Sequence, residues 1–178
     1  LLDVLLPAWF HGVPVVAHES DLTPGLATRI VARFARTVCT TFEETRVPAA
    51  RALRHTGTPL RAGLLAGDAA RGRELCGFDA TRPVVLVVGG SLGSRRLNAV
   101  VRDGLPRLLE GFQVAHVCGR GNVEPALDAP GYRQFEFVRE PYADLLACAD
   151  LVVSRAGANG LYELIAAGKP SLLVPLGR

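Results

Sequence analysis

Two bare, small-residue stretches carry the first chemical signal. Gly89-Gly90-Ser91-Leu92-Gly93-Ser94 follows the apolar run Val84–Val88, and Arg155-Ala156-Gly157-Ala158-Asn159-Gly160 follows Leu151–Val153. Glycine lets the backbone turn sharply and lets a ligand approach it closely. A helix that starts there offers unpaired N–H groups and a partial positive charge, which suits a phosphate. Ser91 adds a hydroxyl donor, and Asn159 is a candidate helix cap. Glu163 lies four residues beyond Asn159, on the same helix face. A carboxylate so placed can accept two hydrogen bonds from vicinal hydroxyls, as on a ribose. Plain structural readings stand beside these. The glycines serve an ordinary strand-to-helix turn, and Glu163 complements the helix dipole.

Three further stretches contain polar groups at element ends. Cys118-Gly119-Arg120-Gly121-Asn122 sits where another strand would finish, and the carboxyl ends of parallel strands line up on the edge where open α/β sheets bind ligands. His18, Glu19 and Asp21 cluster after the run Val13–Ala17, ahead of Pro24-Gly25 and an amphipathic segment. They could contact a polar substrate or form a solvated loop. A metal is disfavoured because HExxH is absent. Arg61 ends the turn-rich "HTGTPLR", and an arginine there suits stacking or an anion, or is a plain surface residue.

Two phosphate-binding motifs fail against Gly89–Ser94. The dinucleotide fingerprint needs a third-position glycine, occupied here by Ser91, and a carboxylate ending the next strand, where "VAHVCGRGN" has none. NAD and a dehydrogenase are disfavoured. A P-loop needs Gly-Lys-Ser/Thr, which is absent from the chain.

The elements that must position these residues alternate. Strand-like runs fall at Val13–Ala17, Thr37–Thr41, Val84–Val88, Gln113–Val117, Gln134–Val138, Leu151–Val153 and Ser171–Val174. Several are continuously apolar, as strands buried on both faces are. Leu97, Val100, Val101, Leu105, Leu108 and Leu109 are spaced as one helical face, and so are Leu161, Leu164 and Ile165. The pattern predicts an α/β fold with a parallel sheet. The polar, Gly-rich segment from Arg61 to Arg82, with one short helix near Ala69–Leu75, places a boundary close to Arg61.

The chain has 178 residues, 49% of them hydrophobic, with 19 Gly and 12 Pro, enough for a large domain or parts of two. A net charge of +3 with dispersed arginines does not demand nucleic acid, and it is compatible with an anionic substrate or membrane surface. Cys39, Cys76, Cys118 and Cys148 are too far apart for a zinc or disulfide framework. No apolar run reaches the roughly 18 residues of a membrane span. The lack of Met, the apolar opening and the close at "LLVPLGR" read as an internal segment of a longer protein.

Taken in order, "VPVVAHESDLTPGLATRIVARFA", "TGTPLR", "VVLVVGGSLGSRRLN", "CGRGN" and "FEFVREPYADLLACADLVVSRAGANGLYELIAAGKPSLLVPL" resemble the MurG family of peptidoglycan N-acetylglucosaminyltransferases, in glycosyltransferase family 28. The resemblance covers most of residues 12 to 176. It implies a GT-B fold of two Rossmann-like parallel-sheet domains facing across a cleft, both incomplete here. Residues 1–61 would be the end of the N-terminal, acceptor-side domain, and 62–178 most of the start of the UDP-sugar-binding domain. The implied reaction moves GlcNAc, with inversion, from UDP-GlcNAc to undecaprenyl-pyrophosphoryl-MurNAc-pentapeptide. It needs no cofactor and no obligatory metal, and takes place at the cytoplasmic face of the cell membrane beside other cell-wall synthesis proteins. Nucleic acid is not implied as a partner.

By the same resemblance, Ser91 meets the diphosphate, supported by Gly89, Gly90, Gly93 and Gly157. The backbone of Val138 reads the uracil. Ala158, Asn159 and Gly160 open the helix at the phosphates, Glu163 holds the ribose, and Arg61 lies beside the nucleotide. Asp21 falls where the family usually has an Asn that contacts the donor sugar, and a carboxylate cannot donate the amide hydrogens. The catalytic base is expected before residue 1. A GT-B transferase with a lipid or natural-product acceptor, and a non-catalytic UDP-sugar-binding subunit, are the alternatives.

Overall fold

The computed structural model describes residues 2–90 and 93–175. It divides into two compact units, Leu1–Pro59 and Leu60–Arg178. Arg61 therefore belongs with the second.

In the first unit, helix α1 (Leu2–Phe10) precedes β1 (Val16–Glu19), α2 (Leu26–Val31), β2 (Thr37–Thr40) and β3 (Leu53–His55). The strands form a parallel sheet in the order β1-β2-β3 around a core of Leu5, Val31, Ala32, Ala35, Val38 and Val47. The expected strand Val13–Ala17 begins later, because the Val13 amide bonds back to the Ala8 carbonyl and Pro14 has no N–H to give a ladder.

In the second unit, a 3-10 turn (Leu64–Ala66) and α3 (Ala69–Cys76) precede β4 (Val84–Val88), α4 (Arg95–Asp103), α5 (Leu105–Leu108), β5 (Gln113–Val117), β6 (Tyr132–Phe135), α6 (Tyr142–Cys148), β7 (Leu151–Arg155), α7 (Ala158–Ala166) and β8 (Ser171–Val174). The order is β6-β5-β4-β7-β8, with every pairing parallel. β4 is the hinge of this order: the chain builds outward to β6 on one side, then crosses to β7 and β8 on the other. Its side chains alternate between two cores. Leu86 packs with Ala115, Val117, Leu145 and Val152, while Val85 and Val87 pack with Leu97, Val101 and Val114. Burial of each such side chain contributes about 1.5–3 kcal/mol.

Two expectations are corrected here. The apolar face from Leu97 to Leu109 belongs to two helices, divided at Gly104 ahead of Pro106, with Val100 exposed. The strand expected over Gln134–Val138 is Tyr132–Phe135, so Val138 follows the strand rather than ending it.

Helices α3 and α6 touch backbone to backbone. A Cβ on Gly72 would lie 2.2 Å from the Asp144 carbonyl oxygen, and one on Gly67 would lie 2.0 Å from that of Ala143. Polar contacts lock the same contact. The Asp68 amide donates to Asp144 Oδ1 at 2.7 Å, Arg71 Nη2 donates to it at 3.0 Å, and the Asp68 side chain caps α3.

A buried polar chain ties α4 to the end of β5. Asn98 Nδ2 donates to the Cys118 carbonyl at 2.9 Å. Asn98 Oδ1 therefore faces His116 Nε2, 3.1 Å away, and that nitrogen carries the proton. His116 Nδ1 is then free to accept from the Tyr132 hydroxyl at 2.9 Å. Burial, with the Arg102 charge adding to it, pushes the His116 pKa down to about 4.

Gly72→Ala places a methyl group where the Asp144 carbonyl sits. Although Ala favours a helix interior by about 1 kcal/mol, the variant should lose about 2 kcal/mol in urea unfolding. Gly111→Ala, where the added Cβ meets open space, should change stability by less than about 0.5 kcal/mol. His116 ionises near 6.5 when unfolded but near about 4 when folded. Its contribution is intact above pH 6.5 and is lost as pH falls from 6.5 towards 4, by up to about 3 kcal/mol. Denaturation across that window should show the decline, and NMR should find the folded ring neutral at about pH 5.5. A folded-state titration near 6.5 would contradict this.

Candidate functional site

The register of β4 brings three strand ends together, with Val88 opposite Val117 of β5 and Ser154 of β7. These ends open into a cavity of about 350 Å³. One wall is apolar, made by Val88, Val117, Phe137, Val138 and Tyr142. Polar groups line the cavity too, from Arg61, Ser154, Arg155, Asn159 and Glu163, together with the bare backbones of Gly90, Gly157 and Gly160. This is the crevice beyond the carboxyl ends of a parallel sheet, where the strand order reverses, and open α/β sheets bind ligands there. A cavity of similar size in the first unit is lined by Leu5, Ala8, Val16 and Val31, among others, and is largely apolar.

The expected site residues separate into groups. Arg61, Gly90, Val138, Gly157, Asn159, Gly160 and Glu163 all line the cavity. Ala158 opens α7 directly after its N-cap, Gly157. Gly89 and Gly93 have a packing role instead. A Cβ on Gly89 would meet the Ser94 amide at 2.6 Å, and one on Gly93, where φ is 74°, would meet the Cys118 carbonyl at 2.1 Å. Gly93 is thus pressed onto the Cys118 carbonyl, which Asn98 also holds, and of these three glycines Gly90 lines the cavity. Ser91 lies outside the described residues. Asp21 belongs to the first unit.

Helix α7 begins without a side-chain cap, because Gly157 occupies the N-cap and Asn159 is the second helical residue. That corrects the expectation of Asn159 as the cap. It leaves the first amides and the positive end of the helix dipole next to the cavity. Arg155, at the end of β7, was not singled out from the sequence. It lines the cavity, and its Nη2 is buried without a hydrogen-bond partner among the described residues. A buried, unpaired guanidinium nitrogen is costly. The only sequence signal was its position, between a strand and a bare turn.

Glu163 is buried and is not free. Its Oε1 accepts from Arg61 Nε at 2.8 Å and its Oε2 from Arg61 Nη2 at 3.2 Å, while the Arg61 guanidinium lies 4.7 Å above the Tyr142 ring. Each carboxylate oxygen keeps a further lone pair that a ligand hydroxyl can use.

In the first unit, Glu19 is also engaged. It accepts from the amides of Asp21 at 3.0 Å and Gly25 at 3.1 Å. Burial would raise its pKa, but hydrogen bonds from the Thr28 side chain and from the loop backbone outweigh it and hold the carboxyl below its usual value. Glu19 therefore shapes the loop that presents Asp21. His18 Nε2 lies 3.0 Å from the Gly57 carbonyl. Among the described residues, no cluster of His, Cys, Asp and Glu is placed to hold a metal ion, and no helix is long and apolar enough to cross a membrane.

Known proteins share this architecture. The chain is 51% identical over 180 residues to the UDP-N-acetylglucosamine–N-acetylmuramyl-(pentapeptide) pyrophosphoryl-undecaprenol N-acetylglucosamine transferase of Geobacillus thermodenitrificans, covering 99% of this chain and 50% of that protein. It is 47% identical over 176 residues to the transferase of the same name from Legionella pneumophila, covering 97% and 48%. The chain thus spans about half the length of the curated relatives it matches. Among solved structures, Acinetobacter baumannii MurG superposes with a TM-score of 0.62 at 30% identity, over 96% of this chain and 48% of that one. A kitacinnamycin glycotransferase, at 19% identity and a TM-score of 0.58, shares the fold. The all-parallel α/β architecture is that of the GT-B glycosyltransferases. Residues 84–178 match the glycosyltransferase family 28 C-terminal domain, and the chain belongs to that family.

Proposed function

We propose that the cavity beyond β4, β5 and β7 holds the UDP part of UDP-GlcNAc. In this reading residues 60–178 are the donor-binding part of an inverting N-acetylglucosaminyltransferase, and residues 1–59 belong to its acceptor-side domain. The observation that carries the reading is the meeting, in one cavity, of apolar side chains, an uncapped helix start and a buried carboxylate. Uracil lies against the apolar wall, read by the backbone of Val138. The diphosphate lies along Gly90 and the first amides of α7, with Ser91 and Arg155 as further donors. Glu163 accepts from the ribose hydroxyls, and Asp21 is the contact to the donor sugar.

The chemistry follows from that placement. The C4 hydroxyl of the lipid-linked MurNAc attacks the anomeric carbon from the face opposite UDP, so the carbon inverts and the C–O bond to the diphosphate breaks. Negative charge builds on the departing β-phosphate, where the α7 dipole and the Arg155 guanidinium stabilise it. No residue of this chain is assigned as the base. The acceptor places the reaction at the cytoplasmic face of the cell membrane, next to other cell-wall synthesis proteins. Helix α1 exposes Val4, Trp9 and Phe10, apolar surface of the kind a lipid interface takes. A second reading, the same donor site with another lipid acceptor, rests on Asp21 standing where the family usually has Asn.

In the full-length protein, transfer should occur from UDP-GlcNAc to a lipid I analogue, and not from UDP-glucose to diacylglycerol. Transfer with the second pair alone would overturn the reading. Glu163→Ala removes a contact present in both ground and transition states, so donor KM should rise roughly 10- to 100-fold with kcat changed much less. An unchanged donor KM would remove Glu163 from the donor site.

A further inference from the structure

We propose that Tyr142 is a positioning residue: its ring holds the Arg61 guanidinium, and Arg61 in turn fixes the plane of the Glu163 carboxylate. This rests on the reading of Glu163 as the ribose contact. The Arg61 side chain is 55% exposed, against 9% for Glu163. A half-exposed arginine carries many rotamers, and holding it in one geometry needs a second contact besides the carboxylate. The Tyr142 ring supplies it from below, 4.7 Å from the guanidinium carbon. Tyr142 is itself held by packing. It is buried in the core with Val138, Leu145 and Leu146, at the first turn of α6. That helix is locked to α3 by the Gly67 and Gly72 contacts and by Asp144 with Arg71.

The geometry sets what Arg61 does. Its Nε and Nη2 meet the two carboxylate oxygens side by side, a fork that allows one carboxylate plane. The oxygens' remaining lone pairs then have a fixed direction, as two adjacent hydroxyl donors require. Arg61 acts through Glu163, and the order of support runs from α3 through α6, Tyr142 and Arg61 to Glu163. A lysine would keep the charge and lose the fork.

The test compares UDP with 2′-deoxy-UDP by calorimetry on the full-length protein. The wild type should prefer UDP by about tenfold, the cost of one lost hydrogen bond to a charged acceptor. Tyr142→Leu keeps apolar volume but removes the ring, and the preference should fall below about threefold. Tyr142→Phe keeps the ring and should keep the preference. Arg61→Lys, at a half-exposed position that folding tolerates, should lose it as Tyr142→Leu does. If Tyr142→Leu or Arg61→Lys keeps the tenfold preference, or weakens both nucleotides equally, the proposal is overturned while the ribose contact stands. A wild type indifferent to the 2′-hydroxyl overturns the assignment of Glu163 to the ribose, and the proposal with it.

Discussion

The parallel register of β4 with its two neighbours is the constraint on which the second unit depends. Val88 stands beside both Val117 and Ser154, so three strands end at one level and three loops leave from one edge. Continuous apolar sequence makes that register stable, because β4 is buried on both faces and a slip by one residue would exchange its two sets of side chains. The segments after β4 and β5 then pack onto each other. Gly93 lies against the Cys118 carbonyl, which Asn98 also holds, and the neutral His116 holds Asn98. The cavity is what remains where these loops cannot close.

Charge within that cavity is arranged economically. Two guanidinium groups, Arg61 and Arg155, and one carboxylate, Glu163, leave a net positive charge, to which the α7 dipole adds. An unpaired Glu163 would repel a diphosphate. Paired with Arg61 it can sit one helical turn from the phosphate end of α7 without that penalty. The arrangement explains how a site for hydroxyls and a site for anions can share one short helix.

Much of this was legible in the sequence, for a physical reason in each case. Val84–Val88 has the bounds its sequence predicts, because a strand buried on both faces leaves an unbroken apolar run, and Gln113–Val117 keeps its expected bounds although Gln113 and His116 are polar. Strand β3 was missed because its three residues, Leu53, Arg54 and His55, are all exposed and leave no pattern. Helix α1 hid behind Pro7, which lies inside it. At the site, glycine and Glu163 stood out by type and spacing. Gly89 packs within its own turn against Ser94, while the distinction between Gly90, which lines the cavity, and Gly93, which packs against the Cys118 carbonyl, depends on a contact across more than 20 residues of chain and has no local signature. The same holds for Tyr142 under Arg61, a pair 81 positions apart in sequence, and for the buried nitrogen of Arg155.

The central claim is that the crevice at the carboxyl edge of β4 and β7 receives a uridine diphosphate. Backbone amide NMR during addition of UDP tests it most directly, because it reports position rather than activity. The account predicts saturable shifts at Gly90, Val138 and Ala158 through Glu163, with little change along α3 or at Gly111. Saturable shifts confined to the first unit, or their absence from α7, would contradict it.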